Sequence, residues 1–260
     1  MEADTRRKIE MHLASRDPDE ILRGLALARK EIANFPMEDA ERILERVGAL
    51  FYIDPLDRPD LMPVVDEAVN FVSAFGPRVI PYLVGELQAA DVKAQLAVSH
   101  ALGRMGEDAI DPLVSEYLLS SDPERRSFIL YAMGKIKSPQ IAKAAALAIE
   151  SASSDDADLR DTAVRAIGKL AESIPPGALR EEVRSGLVRQ LRVNLADQNA
   201  GIRAKAVRSL GKLARYGHLH GKETAEAKKT FELLLGKDEN FSWDRAYLVR
   251  REAEEALEAF

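Results

Sequence analysis

Asp156–Leu170 reads DADLRDTAVRAIGKL and Asn199–Leu213 reads NAGIRAKAVRSLGKL. In register, the two share Arg at the fifth position, Ala at the eighth and Gly-Lys-Leu at the close. Three more segments fall into the same frame: Asp91–Met105 (DVKAQLAVSHALGRM), Asp122–Ile136 (DPERRSFILYAMGKI) and Ala246–Phe260 (AYLVRREAEEALEAF). The fifth position then holds Gln95, Arg126, Arg160, Arg203 and Arg250, and the eighth Val98, Ile129, Ala163, Ala206 and Ala253. Gly103, Gly134, Gly168 and Gly211 stand at the thirteenth, where the last copy has Glu258. Self-similarity at this spacing is the mark of a repeat protein. The copies start 31, 34, 43 and 47 residues apart, so insertions lengthen toward the C-terminus.

Outward from these segments the same periodicity continues. Apolar residues recur at three and four, without the alternation of strands or an Asn-Gly or Asp-Gly hairpin signal. Breakers fall at Asp17-Pro18, Phe35-Pro36, Arg58-Pro59, Gly76-Pro77, Asp122-Pro123, Ser138-Pro139 and Pro175-Pro176-Gly177. Proline suits a helix's first turn, so most of these mark starts, and about fourteen helices are predicted. The helix ahead of each copy repeats more loosely, Val79–Leu83 lying over Ile110–Val114. Pro81 and Pro112 are expected about one turn inside these helices, where the missing N–H would bend them. Ser151–Asp158 reads as the most flexible loop.

Two helices per unit, a proline in the first and Asp…Arg…Ala-Leu-Gly in the second, resemble the HEAT repeat. The likeness is to the short variety of bacterial and archaeal proteins, phycobilin lyases among them. It implies an all-α fold, a right-handed α-solenoid of about seven antiparallel helix pairs. One continuous solenoid over 1–260 is expected: degenerate helical pairs or a cap over 1–75, clear repeats over 76–215, and an insertion-bearing repeat and cap over 216–260. The resemblance also implies a structural ladder, in which Arg126, Arg160, Arg203 and Arg250 reach the aspartates that open their own or a neighbouring repeat, Asp91, Asp122 and Asp156.

Composition bounds the chemistry. The 260 residues are 46% hydrophobic but only 6% aromatic, so the core is aliphatic, and 31% charged, which excludes a membrane-embedded chain. No cysteine is present, removing disulfides, thiolate metal sites and cysteine nucleophiles. The charged Met1–Glu10 stretch has no apolar run, and a cytoplasmic location is expected. No Gly-Lys-Ser/Thr, Gly-x-Ser-x-Gly or Gly-x-Gly-x-x-Gly occurs. None of the four histidines is followed by Glu, unlike the His-Glu dipeptides of the di-iron HEAT enzyme deoxyhypusine hydroxylase. One tryptophan, Trp243, does not make the aromatic pocket of HEAT-type alkylpurine DNA glycosylases. His218 and His220 could ligate a metal with Glu223, or could lie in an exposed polar loop. Without a third ligand at fixed spacing no metal and no cofactor is assigned.

Charge is unevenly spread. The net charge is −6, yet residues 160–229 hold fifteen basic and seven acidic groups. A local positive surface can steer an anionic partner. The acidic whole and the scarcity of stacking aromatics argue against nucleic acid. The expected function is a non-enzymatic scaffold that binds another protein on its concave face and C-terminal insertions. Arg184, Arg189, Arg208, Lys212 and Trp243 are the candidate partner-binding residues. Gly236–Tyr247 gathers Phe241, Trp243 and Tyr247, which would serve as interface anchors or plug the solenoid's end. Two alternatives stand: a bilin-lyase-like subunit acting on a tetrapyrrole-carrying partner, and nucleic-acid binding through 180–215.

Overall fold

Helix follows helix through the chain, as an Ala- and Leu-rich sequence punctuated by proline dictates. A computed structural model describes residues 3–31, 37–54, 56–88, 91–237 and 243–260. Phe35-Pro36 and Phe241 lie outside the described residues. The α-helices found there are α1 (Ala3–Leu13), α2 (Pro18–Glu31), α3 (Met37–Gly48), α4 (Met62–Ser73), α5 (Ile80–Glu86), α6 (Val92–Met105) and α7 (Ile110–Leu119). They continue with α8 (Pro123–Met133), α9 (Ala145–Ser151), α10 (Ala157–Ser173), α11 (Glu181–Asn194), α12 (Ala200–Arg215), α13 (Gly221–Leu234) and α14 (Tyr247–Leu257). The chain is all-α, and the helices fall into seven consecutive couples, each in-register segment being the second helix of its couple. It divides into two units, residues 1–112 and 113–260, with the division inside α7.

In residues 1–112, α2 packs on α4 and α4 on α6, while α1, α3 and α5 pack on α2, α4 and α6 respectively. Ile21, Leu25, Val64, Phe71, Leu83 and Leu102 are buried between them. Phe71 and Phe75 meet edge to face at 5.2 Å, and Arg104 Nη1 donates to Asn70 Oδ1 at 2.6 Å across α4 and α6. The N-terminal couples therefore stack like the later ones although they lack the Arg-Ala-Leu-Gly frame.

In residues 113–260, α8, α10, α12 and α14 form one file, each packed on the next, and α9, α11 and α13 lie against α10, α12 and α14. The eighth-position residues Ile129, Ala163, Ala206 and Ala253 are all fully buried. Burial of Ile129 contributes roughly 1.5–3 kcal/mol and each alanine methyl less, on the order of 0.8 kcal/mol. Gly168 and Gly211, at the thirteenth position, lie where successive second helices come closest. A β-carbon on Gly211 would stand 2.8 Å from the Ala256 β-carbon, so a small eleventh residue and a Gly two places later are mated features of neighbouring repeats. Ser209, also at the eleventh position, donates its hydroxyl to the Val164 carbonyl at 2.8 Å, tying α12 to α10.

The first helices differ from expectation in one respect. Pro81 stands in the first turn of α5, and α7 begins only two residues before Pro112. A 3-10 turn precedes each, over 76–79 and 106–109, and another over 139–144 leads into α9. At Pro81 and Pro112 the proline cannot donate to an i−4 carbonyl, so the chain winds as 3-10 ahead of it and as α beyond, whereas Pro139 opens its own 3-10 turn. The sequence's bend is a change of helix type. Ser151–Asp158 is a tied turn: Ser153 Oγ donates to the Glu150 carbonyl at 2.7 Å, and the Asp156 N–H to Ser154 Oγ at 3.2 Å.

Candidate functional site

The turn that opens each second helix is a repeated hydrogen-bonded module. Asp91, Asp122, Asp156 and Asn199 accept from N–H groups in the first turns of α6, α8, α10 and α12. These are N-caps, filling acceptor places that the helix itself leaves empty. Two residues before the cap, Ser120, Ser154, Asp197 and Asp244 accept from the N–H of the capping position. The fifth-position arginine then reaches back over the turn. Arg126, Arg160, Arg203 and Arg250 donate to the carbonyls of Ser120, Ser154, Asp197 and Asp244, at 2.8, 2.7, 2.8 and 2.6 Å.

This corrects the expected ladder. The opening aspartates are caps, and the arginines cross to the carboxylate two places before the next repeat's cap. Arg160 Nε donates to Asp197 Oδ2 at 2.9 Å, and Arg203 holds both Asp244 oxygens at 2.8 and 2.9 Å. Ser154 occupies that place in the copy after Arg126, which turns to Glu150 at 3.4 Å and lies over the Tyr117 ring at 4.7 Å. Arg250, in the final copy, ends on carbonyls and over Tyr247. The Arg203 guanidinium holds the Asp244 carboxyl below its ordinary range. The column Ser120, Ser154, Asp197, Asp244, two places before each opening residue, is the signal in the sequence that could have found these partners.

The five candidate partner-binding residues do not share one surface. Arg184 in α11 is buried, donating to both Glu181 and Glu223 carboxylates and, at 2.9 Å, to the His218 carbonyl. It clamps the 216–221 loop and offers no partner a charge, because every hydrogen-bonding edge of its fork is already matched. Arg189 is exposed on the same helix. Arg208 and Lys212 share the second-helix face of α12, Arg208 pairing with Glu252 and Lys212 with Glu172. His218 and His220 part ways, His218 buried with Nε2 3.2 Å from the Ala171 carbonyl and His220 exposed. Glu223 is committed to Arg184 and the His220 N–H, so the three do not converge on a metal.

Around Glu172 the second-helix face is strongly polarised. Lys137 at 3.1 Å, Lys169 at 3.2 Å and Lys212 all reach its carboxylate. Burial pushes Glu172 upward, but the three lysines outweigh it and hold it at about 2. Burial also draws Lys212 below the ordinary lysine value, only partly restored by Glu172.

Trp243 stands elsewhere, 60% exposed at the edge of an open groove that Arg192, Leu195, Glu226, Lys229 and Leu233 also line. Its backbone is pinned on both sides. Leu235 and Trp243 form an antiparallel bridge, the Asp244 N–H donates to the Leu234 carbonyl at 3.1 Å, and Arg203 holds Asp244. Arg192 Nη2 meets Glu226 at 2.7 Å across the groove. An indole is thus presented to solvent on a fixed frame.

Residues 80–168 match a family model described as HEAT repeats. No curated protein matches the chain in sequence. Among solved structures, Kap121p bound to Nup53p is similar with a TM-score of 0.62 at 14% identity, over 97% of this chain and 29% of that one. The complex of CpcE and CpcF of phycocyanin lyase from Nostoc sp. PCC7120 gives 0.56 at 18% identity, over 69% of this chain and 98% of that one. A designed armadillo repeat protein in complex with peptide (KR)4 gives 0.51 at 16%, over 99% and 100%. Likeness at these identities speaks for the fold alone. The capped second helices and their glycine–small-residue seams agree with that match: residues 80–168 are similar to HEAT repeats, and the chain as a whole has the fold of an α-solenoid repeat protein.

Proposed function

We propose that this chain is a scaffold that holds a partner protein, and that the groove at Trp243 is one of its contacts. The observation that carries this reading is the exposed indole on a pinned backbone. A large aromatic surface left in water costs free energy that burial under a partner would recover. Leu233 and Leu195 continue the apolar floor, while Arg192, Glu226 and Lys229 give the polar rim common at interfaces. The fold supports it too: Kap121p is bound to Nup53p and to Ste12p in its structures, and the designed armadillo protein to a peptide.

The test is capture from native extract by the full chain and by Trp243→Ala, with mass spectrometry and an absorption spectrum of each eluate. One stoichiometric protein retained by the native chain and lost from the variant, at unchanged thermal midpoint, is the expected result. Equal retention by both would remove the groove from the reading. A coloured eluate would replace it with handling of a tetrapyrrole.

A further inference from the structure

One carboxylate on the second-helix face of residues 113–260 carries more cations than it can neutralise. Glu172 takes Lys137, Lys169 and Lys212, whereas Glu252, which takes Arg208 and Arg251, shares Arg251 with Glu255. Beside the first cluster, a notch between α8 and α10 is lined by Tyr131, Lys135, Thr162, Arg165 and Lys169, and by no carboxylate. Both flanking cations rest on the same ring, Lys135 Nζ 4.8 Å and the Arg165 guanidinium carbon 5.4 Å from the Tyr131 centroid. Lys169 joins the notch to the Glu172 cluster. Five cations (Lys135, Lys137, Arg165, Lys169, Lys212) therefore face one carboxylate, a local excess of four positive charges. Asp161, on the same face of α10, adds nothing to the balance because Lys205 occupies it.

Such an excess does nothing for packing. Like charges held side by side repel, and the aromatic ring only partly offsets that. The arrangement is instead what an anion-complementary surface requires: cations fixed in advance, so that little side-chain entropy is lost when the ligand arrives. We propose that the notch and the Glu172 cluster bind an Asp/Glu-rich segment of a partner protein, its carboxylates docking on Lys135, Arg165 and Lys169. This rests on the scaffold reading and names the chemistry of the partner. A protein segment fits better than a nucleic acid. The aromatic face on which bases would stack is covered at Tyr131 by two cations.

The experiment is fluorescence anisotropy of a labelled octaglutamate peptide titrated with the full chain. Binding should weaken several-fold between about 0.01 and 0.15 M salt, where the Debye length falls from ~30 to ~8 Å. Lys135→Glu/Arg165→Glu should lose about tenfold or more in affinity, as reversed charge at a complementary surface does. Lys135→Gln/Arg165→Gln should show a smaller loss, with circular dichroism confirming that both variants are folded. Lys228→Glu, exposed on α13, should bind like the native chain. Absent peptide binding, equal binding by the folded reversal variant, or tighter binding of single-stranded DNA of matched charge would each overturn the inference. If Trp243→Ala still loses a natural partner while octaglutamate is ignored, the scaffold reading stands and only the acidic specificity falls.

Discussion

A β-carbon placed on Gly168 would stand 2.5 Å from the Ser209 hydroxyl oxygen and 3.1 Å from the Ser209 α-carbon. The two residues belong to successive second helices, and the seam between α10 and α12 closes over the missing side chain. Ala would favour the helix by about 1 kcal/mol at an open site, but here the backbone of residue 209 cannot retreat without opening the seam. Gly168→Ala is therefore expected to destabilise by roughly 1–3 kcal/mol, the usual cost of overpacking. Ser209→Gly in the same chain should recover part of it. Denaturant midpoints of the two single variants and the double variant measure this; independent, additive effects would contradict the steric account.

Asp244 performs two tasks that substitution can separate. It holds the Arg203 guanidinium and accepts the Ala246 N–H at the start of α14. Asp244→Asn keeps an acceptor for the cap but loses the ionic fork, whereas Asp244→Ala loses both. A hydrogen bond to a charged group is worth about 1.5–3 kcal/mol and a cap about 1 kcal/mol, so Ala should cost about 1 kcal/mol more than Asn. Thermal unfolding of the pair gives the difference. Trp243 neighbours this frame, and its fluorescence should shift in both variants.

Arg184 tests how buried charge behaves in this stack. Arg184→Ala leaves Glu223 and the His218 carbonyl without their donor, and a loss of about 3 kcal/mol is expected for breaking a buried pair. Arg184→Lys should rescue little, because one ammonium cannot span Glu181, Glu223 and a carbonyl at once. Hydrogen exchange should show faster opening at 216–221 in both. Protection equal to the native chain would show that the clamp is dispensable.

Glu172 sets a pH dependence. A carboxylate whose folded pKa is depressed adds stability above its unfolded value, about 4.3 for Glu, and that contribution fades as pH falls through the folded value. For Glu172 the folded value is about 2. Glu172→Gln should destabilise the chain at neutral pH by an amount on the order of 2 kcal/mol. The gap to the native protein should stay nearly constant down to about pH 5 and close between there and pH 2. A gap that persists at pH 2 would mean that Glu172 contributes packing and not charge.

Much of this protein was decided locally, by the sequence alone. The opening residues of the second helices, the eighth-position core, the thirteenth-position glycine and the proline-marked first helices all follow from periodicity and capping, which act within one or two turns of chain. Only the tertiary structure decided what the charges do. Arg160 and Asp197 are 37 residues apart and Arg203 and Asp244 are 41, because the insertions between copies differ in length. The Arg-to-Asp separation is not constant, and the place two before the opening residue holds a carboxylate in only two of the four copies, Asp197 and Asp244, so the arginine column was visible and its partners were not. Arg184 and Arg189 look equivalent along α11, yet one is sealed beneath the 216–221 loop and the other faces water. Three lysines from three successive couples meet on Glu172 only because those couples stack. Helix formation depends on near neighbours, whereas the environment of a charge depends on which distant segments the packed core brings beside it.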